Sequence, residues 1–297
     1  MRYLLLLNIF LLSLNASAQI SFHKIYSAPW IGQGTYVKSE FSKSSDGVYT
    51  LVGSSSGITD SLILFINSDN TQQPTFVKRV YSPLLGPTSI NQRMDLYCFS
   101  DLQVRLLFNS LTTSYLLKTT NTGNLTSVKK INQSSTQFYK LFEIDGFLYG
   151  AGIQNNSGMS GGLICKMDMD ANVISSHYIN SGSSQRRSIV YQIKKTNDGG
   201  FLIAGEDFNP SVSAHASLML IRTDSLMNML WQHHYSRPQP FSGNMIPKAI
   251  VEIPHGGFML LIDNAVNYYS GIMLTDITGN VISYTSYNST NPTLFPN

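Results

Sequence analysis

Charge is the first property that this chain has little of. Only 12% of its 297 residues are Asp, Glu, Lys or Arg, and the formal net charge is +3. The Lys and Arg residues behind the isoelectric point of ≈ 8.7 are scattered and form no stripe. A nucleic-acid-binding surface needs a concentrated basic patch, so the composition argues against a nucleic-acid partner. Ser, Thr, Asn and Gln supply the polarity instead, which suits an exported β protein.

Long hydrophobic runs are also scarce. The one at the N-terminus, Tyr3 to Leu14 in "MRYLLLLNIFLLSLNASAQ", has about 12 residues, whereas a helix that crosses a bilayer needs about 20. Arg2 precedes this run and the Ala-Ser-Ala of residues 16–18 follows it, which is the layout of a secretory signal peptide. The alternative is an N-terminal membrane anchor. We expect residues 1–18 to be a signal peptide and residues 19–297 to be a single domain, secreted or in the cell envelope, without a membrane span.

Cysteine occurs twice, as Cys98 and Cys165. An exported protein permits a disulfide bond. However, both residues lie in apolar runs, "DLYCFSD" and "GLICKMD", and buried free cysteine packs as a small hydrophobic side chain. We therefore favour two unpaired core cysteines over a disulfide. Neither has a neighbouring His in the sequence, so no thiol nucleophile is indicated.

What the chain has in quantity is an internal repeat. The stretch "KTNDGGFLIAGED" (195–207) has counterparts at 43–55, 143–154 and 252–264. After each counterpart comes a second apolar run, and then an alternating run that ends in an aromatic or apolar residue. A weaker copy occupies 95–132. The chain therefore contains five copies with a period of about 50 residues, in the range of propeller repeats.

Each copy contains four short runs rich in Val, Ile, Leu, Phe and Tyr, separated by turn residues, and no stretch keeps a helical period. Four strands per repeat of this length are typical of a β-propeller, in which neighbouring blades cover both faces of each sheet. We predict an all-β protein, a β-propeller of about five four-stranded blades. A β-sandwich is the rival fold, but it would not explain why the same pattern returns five times.

The ends of the repeat leave ring closure open. "ISFHKIYS" (20–27) resembles the fourth strand of a copy, and in many propellers an N-terminal strand completes the last blade. The fifth copy already has a fourth strand of its own, at 281–288. Either 20–27 pairs as an extra strand or the chain is an incomplete six-bladed propeller.

The fourth copy, at 195–235, follows the pattern Thr-x-Asp-Gly-Gly-aromatic, apolar run, Ala-Gly, Lys/Arg-x-Asp-x-x-Gly-Asn turn and Trp-x-x-x-Tyr. The matching residues are Thr196, Asp198, Gly199, Gly200, Phe201, Ala204, Gly205, Arg222, Asp224, Asn228, Trp231 and Tyr235, while Met227 replaces the turn Gly. This pattern resembles the DGG-type β-propeller repeat of proteins secreted by Bacteroidota-type bacteria. The resemblance implies a propeller-like fold and no catalytic residues. Such proteins often end in a type IX secretion sorting domain, and we expect none in the nine residues after Asn288.

Glycine-rich and acidic stretches are better explained as turns than as cofactor or metal loops. "DGGFLIAG" lacks the spacing of a dinucleotide-binding or Walker loop, and Asp-Gly between apolar runs is a hairpin signal. "DMDAN" (168–172) resembles the start of a calcium loop. The Gly at position six and the Glu at position twelve of such a loop are replaced by Val173 and Ile179.

Side chains for catalysis do not form a recognisable set. His233 and His234 are adjacent in an alternating strand and should point to opposite faces, so they do not chelate one ion together. There is no G-x-S-x-G nucleophile motif; "SGMSGG" (157–162) is a loop between two strands. We therefore assign no catalytic residues, no cofactor and no metal. A pair of glycosidase carboxylates that meet only in space remains an alternative.

Loop lengths separate the two ends of each predicted blade. The turns between first and second and between third and fourth strands are short; we call their side the short-turn end. The other loops are long and varied, and function tends to lie on such loops. At this long-loop end we expect a ligand surface, for a glycan or a protein, with the candidate contacts Arg186, Arg187, Arg237, Phe241, Tyr268 and Tyr269. The plainer interpretation is that these are solvated loop residues. The sequence thus favours a binding or scaffold module, with a secreted hydrolase or lyase acting in the propeller channel as the alternative.

Overall fold

The structure is a computed structural model that describes only part of the chain. The described residues are 36–44, 47–55, 62–68, 74–80, 95–98, 104–109, 113–120, 124–133, 135–156, 159–179, 187–209, 216–236, 244–254, 256–264 and 269–288. Before Arg105 the description is limited to the backbone. The described part consists of strands and turns, so it holds no helix of the length and apolarity that a membrane span requires. The prediction of an all-β protein is confirmed.

Among the described residues, strands run up and down in five antiparallel units of four. Unit one contains β1 (Tyr36–Ser44), β2 (Gly47–Ser55), β3 (Leu62–Ser68) and β4 (Pro74–Val80). Unit two contains β5 (Asp95–Cys98), β6 (Val104–Asn109), β7 (Ser114–Thr119) and β8 (Leu125–Lys130). Unit three contains β9 (Thr136–Ile144), β10 (Phe147–Asn156), β11 (Met159–Met167) and β12 (Val173–Ile179).

The last two units have the same order. Unit four contains β13 (Arg187–Lys195), β14 (Phe201–Phe208), β15 (Ser217–Thr223) and β16 (Met229–Tyr235). Unit five contains β17 (Met245–Glu252), β18 (Phe258–Asn264), β19 (Tyr269–Thr275) and β20 (Val281–Asn288). One parallel residue pair, Ser160 with Arg187, joins units three and four into an eight-stranded sheet.

The first strands of successive units lie against one another: β1 contacts β5, β5 contacts β9, β9 contacts β13 and β13 contacts β17. We call these the inner strands, and the fourth strands the outer strands. The arrangement is propeller-like, as predicted. The stretch 20–27, which raised the question of closure, lies outside the described residues.

Burial of both faces of a sheet explains the nearly continuous apolar runs. Successive strand residues point to opposite faces. In unit four, Leu202 and Ala204 belong to a core cluster shared with unit five, whereas Ile203 and Ile221 belong to the cluster shared with unit three. A sheet with two apolar faces needs a neighbour on each side, because each buried aliphatic side chain contributes about 1.5–3 kcal/mol.

Cys165 lies in the cluster between units two and three and is fully buried and unpaired. Burial raises the pKa of its thiol, so the residue is an inert core side chain. The prediction of an unpaired core cysteine is confirmed for Cys165. The side chain of Cys98 lies outside the described residues.

The Asp-Gly-Gly stretch is a turn between β13 and β14. The Thr196 N–H donates to Gly200 O over 2.9 Å, and Gly199 has a φ of 87° that favours glycine. The Thr196 hydroxyl donates to Asp198 Oδ1 over 2.7 Å. Buried Arg222, at the end of β15, pairs with the same carboxylate and donates to Phe201 O over 3.1 Å. This pairing gives Asp198 and Arg222 of the repeat pattern a shared structural role.

The turns between third and fourth strands repeat one hydrogen-bonded form. In unit five, Asp276 Oδ1 accepts from the backbone N–H groups of Thr278 and Asn280 over 2.9 and 2.8 Å, and Oδ2 accepts from Asn280 Nδ2 over 3.0 Å. Asp224 and Asp168 accept in the same way in units four and three. The calcium-like stretch 168–172 is therefore a hydrogen-bonded turn of the repeat.

These turns predict a loss of stability in acid. Hydrogen bonds from Asn280 and Thr278 hold the pKa of Asp276 below its ordinary value of 3.8. A carboxyl whose pKa is lowered by folding stabilises the fold above that ordinary value, and the stabilisation is lost as the pH falls through the folded pKa. Asp276→Asn should therefore lower the urea midpoint of unfolding at pH 7. The difference in urea midpoint between this variant and wild type should become smaller as the pH falls from 5 to about 2–3. A difference in urea midpoint that stays constant with pH would contradict stabilisation by the ionised Asp276 carboxylate.

Candidate functional site

The structure describes two of the six predicted contact residues. Arg187 is the exposed first residue of β13, and its backbone pairs with Phe208 in β14. Tyr269 is the first residue of β19, and only its backbone is described. Both start strands at the long-loop end. The other four, Arg186, Arg237, Phe241 and Tyr268, lie outside the described residues.

Three inner strands carry a β-bulge at the same level. In β9, β13 and β17 the register against the second strand shifts by one residue, and the extra residues are Tyr139, Tyr191 and Lys248. A bulge re-aims the side chain of the extra residue. Gly152 and Gly205 lie opposite the bulges of units three and four, where a Cβ atom would overlap a carbonyl oxygen of the inner strand. The Ala-Gly of the repeat therefore has a steric cause.

The extra residue reaches the same position of the second strand in units four and five. The Tyr191 hydroxyl donates to Glu206 Oε1 over 3.0 Å. Lys248 Nζ lies 3.5 Å from Asp263 Oδ2. Glu206 is only 8% exposed, whereas the Lys248 and Asp263 side chains are 51% and 38% exposed. We call the height of these bulges in the sheets the bulge level. At the bulge level, unit four has the buried carboxylate Glu206, and unit five has the more exposed ion pair Lys248–Asp263.

Two tyrosines connect this level across units three and four. The rings of Tyr139 and Tyr191 stack with their centroids 5.6 Å apart and an interplanar angle of 19°. They share one cluster with Ile153 and Ile189, against which Ile246 packs. Because units three, four and five all contribute to this cluster, the bulge level is a rigid inter-unit contact.

Amide side chains bind the bulged backbones of the following unit. Asn109, the last residue of β6, donates to Phe138 O over 2.5 Å and accepts from Phe138 N over 3.2 Å. Gln192 Nε2 donates to Lys248 O over 2.8 Å. A bulge interrupts the ladder, and buried backbone groups need partners, so these amides stabilise the inner strands where the ladder is broken.

Asp207, next to Glu206, organises a second polar group nearer the outer strand. Ser188 Oγ donates to Asp207 Oδ1 over 2.8 Å, and His234 Nδ1 lies 3.3 Å from Asp207 Oδ2. His234 Nε2 lies 2.7 Å from Gln232 Nε2. In a Ser-His-Asp triad the imidazole stands between serine and carboxylate. Here the carboxylate stands in the middle, so the serine is not activated as a nucleophile.

The neighbouring His233 contacts the other side of β16. Its Nε2 lies 2.9 Å from Thr278 O in unit five, whereas His234 faces Asp207 in unit four. The prediction that the two histidines point to opposite faces is confirmed. Among the residues with a described placement, no group of three or more His, Cys, Asp or Glu side chains could hold a metal ion.

Tyr191, Glu206 and Asp207 are candidate residues that the sequence patterns did not single out. A signal exists: an apolar strand ends in two adjacent carboxylates directly after Ala-Gly, within two residues of the long-loop end of β14. The partner of Glu206 could not be read from spacing, because the bulge at Tyr191 shifts the register by one residue.

Comparison with known proteins places the chain by fold alone. No family model and no curated protein matches it. The cobalt-substituted ACO of Synechocystis is 14% identical, aligns over 86% of this chain and 63% of its own, and has a TM-score of 0.50. A variant of the same apocarotenoid oxygenase is 13% identical over 91% and 66% of the two chains, also with a TM-score of 0.50.

A third solved structure, a neuraminidase-like protein of a little yellow-shouldered bat isolate, is 11% identical over 86% of this chain and 84% of its own, with a TM-score of 0.49. The chain spans 63% and 66% of the lengths of the two Synechocystis structures. At these identities the likeness to the two Synechocystis structures supports the all-β, propeller-like architecture and carries no residue roles to this chain.

The bulge geometry makes a steric prediction. Gly205→Ala should destabilise the protein by about 2–3 kcal/mol, because its Cβ would overlap the backbone of Ile189, which cannot rotate away. Gly146→Asn is the control, since no atom lies within 4 Å of a Cβ there and its φ of 75° suits Asn; it should lose about 1 kcal/mol or less. Denaturant unfolding measures both. Equal losses would mean that the bulge does not press on Gly205.

Proposed function

We propose that this protein is an exported binding module whose ligand is a glycan, bound at the long-loop end where units three to five meet. One observation carries the proposal: the stacked pair Tyr139–Tyr191 ends on the Glu206 carboxylate. Aromatic rings offer apolar faces to the C–H surface of a sugar, and a carboxylate accepts strong hydrogen bonds from hydroxyl groups. Tyr139, Tyr191 and Glu206 keep only 8%, 7% and 8% of their surface exposed, so in this proposal they form the base of the site and not its rim.

The predicted contacts Arg187 and Tyr269 start strands at the same end of the fold, with Arg186, Arg237, Phe241 and Tyr268 in the loops beside them. Function often lies on variable loops that a rigid scaffold positions. In this proposal the loop residues select the ligand, and the bulge level forms the base of the site.

The finer architecture belongs to the same proposal: the five units are blades of one ring, closed by contact between units five and one. The far face of unit five supports this. Leu261 occupies the position of Ala204, and it is 42% exposed where Ala204 is 0% exposed. A further apolar sheet is needed to cover it, and the alternating apolar residues of unit one can supply that sheet.

A glycan-cleaving enzyme is the second candidate, and a specific observation favours it. Ionisable groups lie within reach of each other at the long-loop end, as Asp207 with His234 and Lys248 with Asp263. Glu206 beside Tyr191 adds an acid held in a nearly buried position. Cleavage of a glycosidic bond uses two carboxyl groups, and Glu206 and Asp263 occupy equivalent positions of units four and five.

The first experiment screens the mature protein on a glycan array. Wild type should bind one class of glycan, and Glu206→Gln should weaken that binding at least tenfold because a neutral amide accepts weaker hydrogen bonds. Glu252→Gln is the matched control; Glu252 accepts from Asn197 N over 2.8 Å at the short-turn end, so its replacement should leave binding unchanged.

The outcomes separate the candidates. Binding without release of reducing ends supports the module, whereas release that stops in Glu206→Gln supports the enzyme. A flat array together with specific capture of an envelope protein would replace the glycan by a protein ligand. If Glu206→Gln and Glu252→Gln weakened glycan binding equally, the assignment of the site to the long-loop end would be wrong.

Export has its own test. When the full chain is expressed in a bacterium with a Sec pathway, the intact mass of the exported protein should correspond to a chain that starts at Gln19. Ala18→Arg should block cleavage, because the signal peptidase requires a small residue there, whereas Ser17→Arg should not. Recovery of wild type with residues 1–18 still attached would contradict the signal-peptide assignment.

A further inference from the structure

Outer strands close the clefts between neighbouring units, and the cleft between units four and five is filled by rings. Its filling is the triplet Trp231, His233 and Tyr235 of β16, which we call the aromatic triplet. The Trp231 ring centroid lies 6.1 Å from that of Phe258 and 5.2 Å from that of His233. The Tyr235 hydroxyl donates to Gly279 O over 2.5 Å. Because Gly279 has no side chain, the triplet packs directly on the turn of unit five.

The cleft between units two and three is bridged by charge instead. The strand registers put Ser127 at the position of Trp231. Lys118 forms an ion pair with Asp170 in the turn of unit three, and Lys129 Nζ donates to Asn172 Oδ1 over 2.5 Å. A cavity of about 390 Å³ lies at this level, and these polar side chains line it.

The cleft between units three and four has neither filling. The registers put Ser175, His177 and Ile179 at the positions of the aromatic triplet. The turn glycine is replaced by Met227, which adopts a φ of 66° that an ordinary side chain rarely takes. This cleft lacks the Trp and Tyr rings of the triplet, keeps an imidazole at His177, and has the flexible thioether of Met227 in the turn.

The result is a groove of about 450 Å³. Its floor contains the buried side chains Ile164, Ile203 and Ile221, and its rim contains Met227 and Met229. A volume of this size is in the range of small-ligand pockets, and buried isoleucines give it a fixed base.

Polar side chains from both units also line the groove. His177, Thr223 and Gln232 all line it. Deeper in the same cleft, Tyr149 of unit three packs on Phe201 with their ring centroids 5.7 Å apart. In the next cleft, Phe258 has the position of Phe201 and packs on Trp231 of the outer strand. Between units three and four, Phe201 therefore has a ring partner on the inner side of the cleft, at Tyr149. The open space is therefore the outer part of a cleft that in the neighbouring repeat holds aromatic rings.

We propose that this groove is a binding site for a flat aromatic or heteroaromatic molecule of about the size of indole. The ligand takes the place that the aromatic triplet holds between units four and five. Its faces lie between the isoleucine floor and the thioethers of Met227 and Met229, and sulfur packs well against aromatic rings. Its polar edge faces His177, Thr223 and Gln232. The site lies on the outer side of the cleft, away from the proposed glycan site on the inner strands.

Indole itself is the first probe, used on the mature protein. Saturation-transfer NMR should show saturable binding, and chemical shifts of selectively labelled methionine methyls should move for Met227 and Met229. Met229→Asp should weaken binding at least tenfold, because it puts a charge at the groove. Leu230→Asp is the matched control: Met229 and Leu230 are 60% and 59% exposed, but Leu230 does not line the groove. A bulge leaves Leu230 unpaired between Met229, which pairs with Thr223, and Trp231, which pairs with Arg222.

Restoring the repeat gives a second test that does not add charge. Ser175→Trp combined with Ile179→Tyr and Met227→Gly should fill the groove and abolish indole binding. Ser283→Trp, at the equivalent position of β20, should leave binding unchanged. Absence of saturable binding to wild type, or equal binding by the Met229→Asp and Leu230→Asp variants, would overturn the proposal. Glycan binding is read separately with the same variants and should be unaffected.

Discussion

Units three and four are four-stranded sheets with two apolar faces, and each of these faces must be covered by a neighbouring sheet. That constraint explains why the middle strands are almost uninterrupted runs of Leu, Ile, Val and Met, and why the inner strands of successive units lie against one another. It also explains why the turns vary so little. Asp-Gly-Gly holds the first hairpin of unit four, and Asp-x-x-x-Asn holds the turns between third and fourth strands of units three to five. The side chains of both patterns are therefore used within the turn.

Sequence reasoning worked best where one residue type has one physical task. Gly199 had to be a turn residue, and the alternation of His233 and His234 had to place them on opposite faces. The bulges were not predictable, because a two-residue period does not reveal where one extra residue enters a strand. The contact between Tyr191 and Glu206 depends on that insertion, and for this reason the base of the candidate site was missed although both residues are plain in the sequence. All six predicted contacts remain predictions.

Met227 illustrates a different limit. In the sequence it is one mismatch to a turn glycine, and the natural interpretation is a tolerated change. Its meaning depends on Ser175 and Ile179, which lie about 50 residues earlier and face it only after two units have stacked. A repeat protein can alter one cleft without changing any sheet, because each cleft is formed by one outer strand and the next turn. The three comparable clefts, filled by rings, by lysines or by neither, are variations of that kind.

The amides that support the bulged inner strands have a direction. Asn109 and Gln192 both reach forward, from a unit nearer the N-terminus to the backbone of the unit that follows it. A chain that emerges from a ribosome or a translocation channel presents the donor first, already fixed in a finished sheet, and the acceptor strand folds against it. The order of synthesis and the order of stabilisation therefore coincide. An internal unit that was cut out or transplanted would leave its successor with an interrupted ladder and no side chain to complete it.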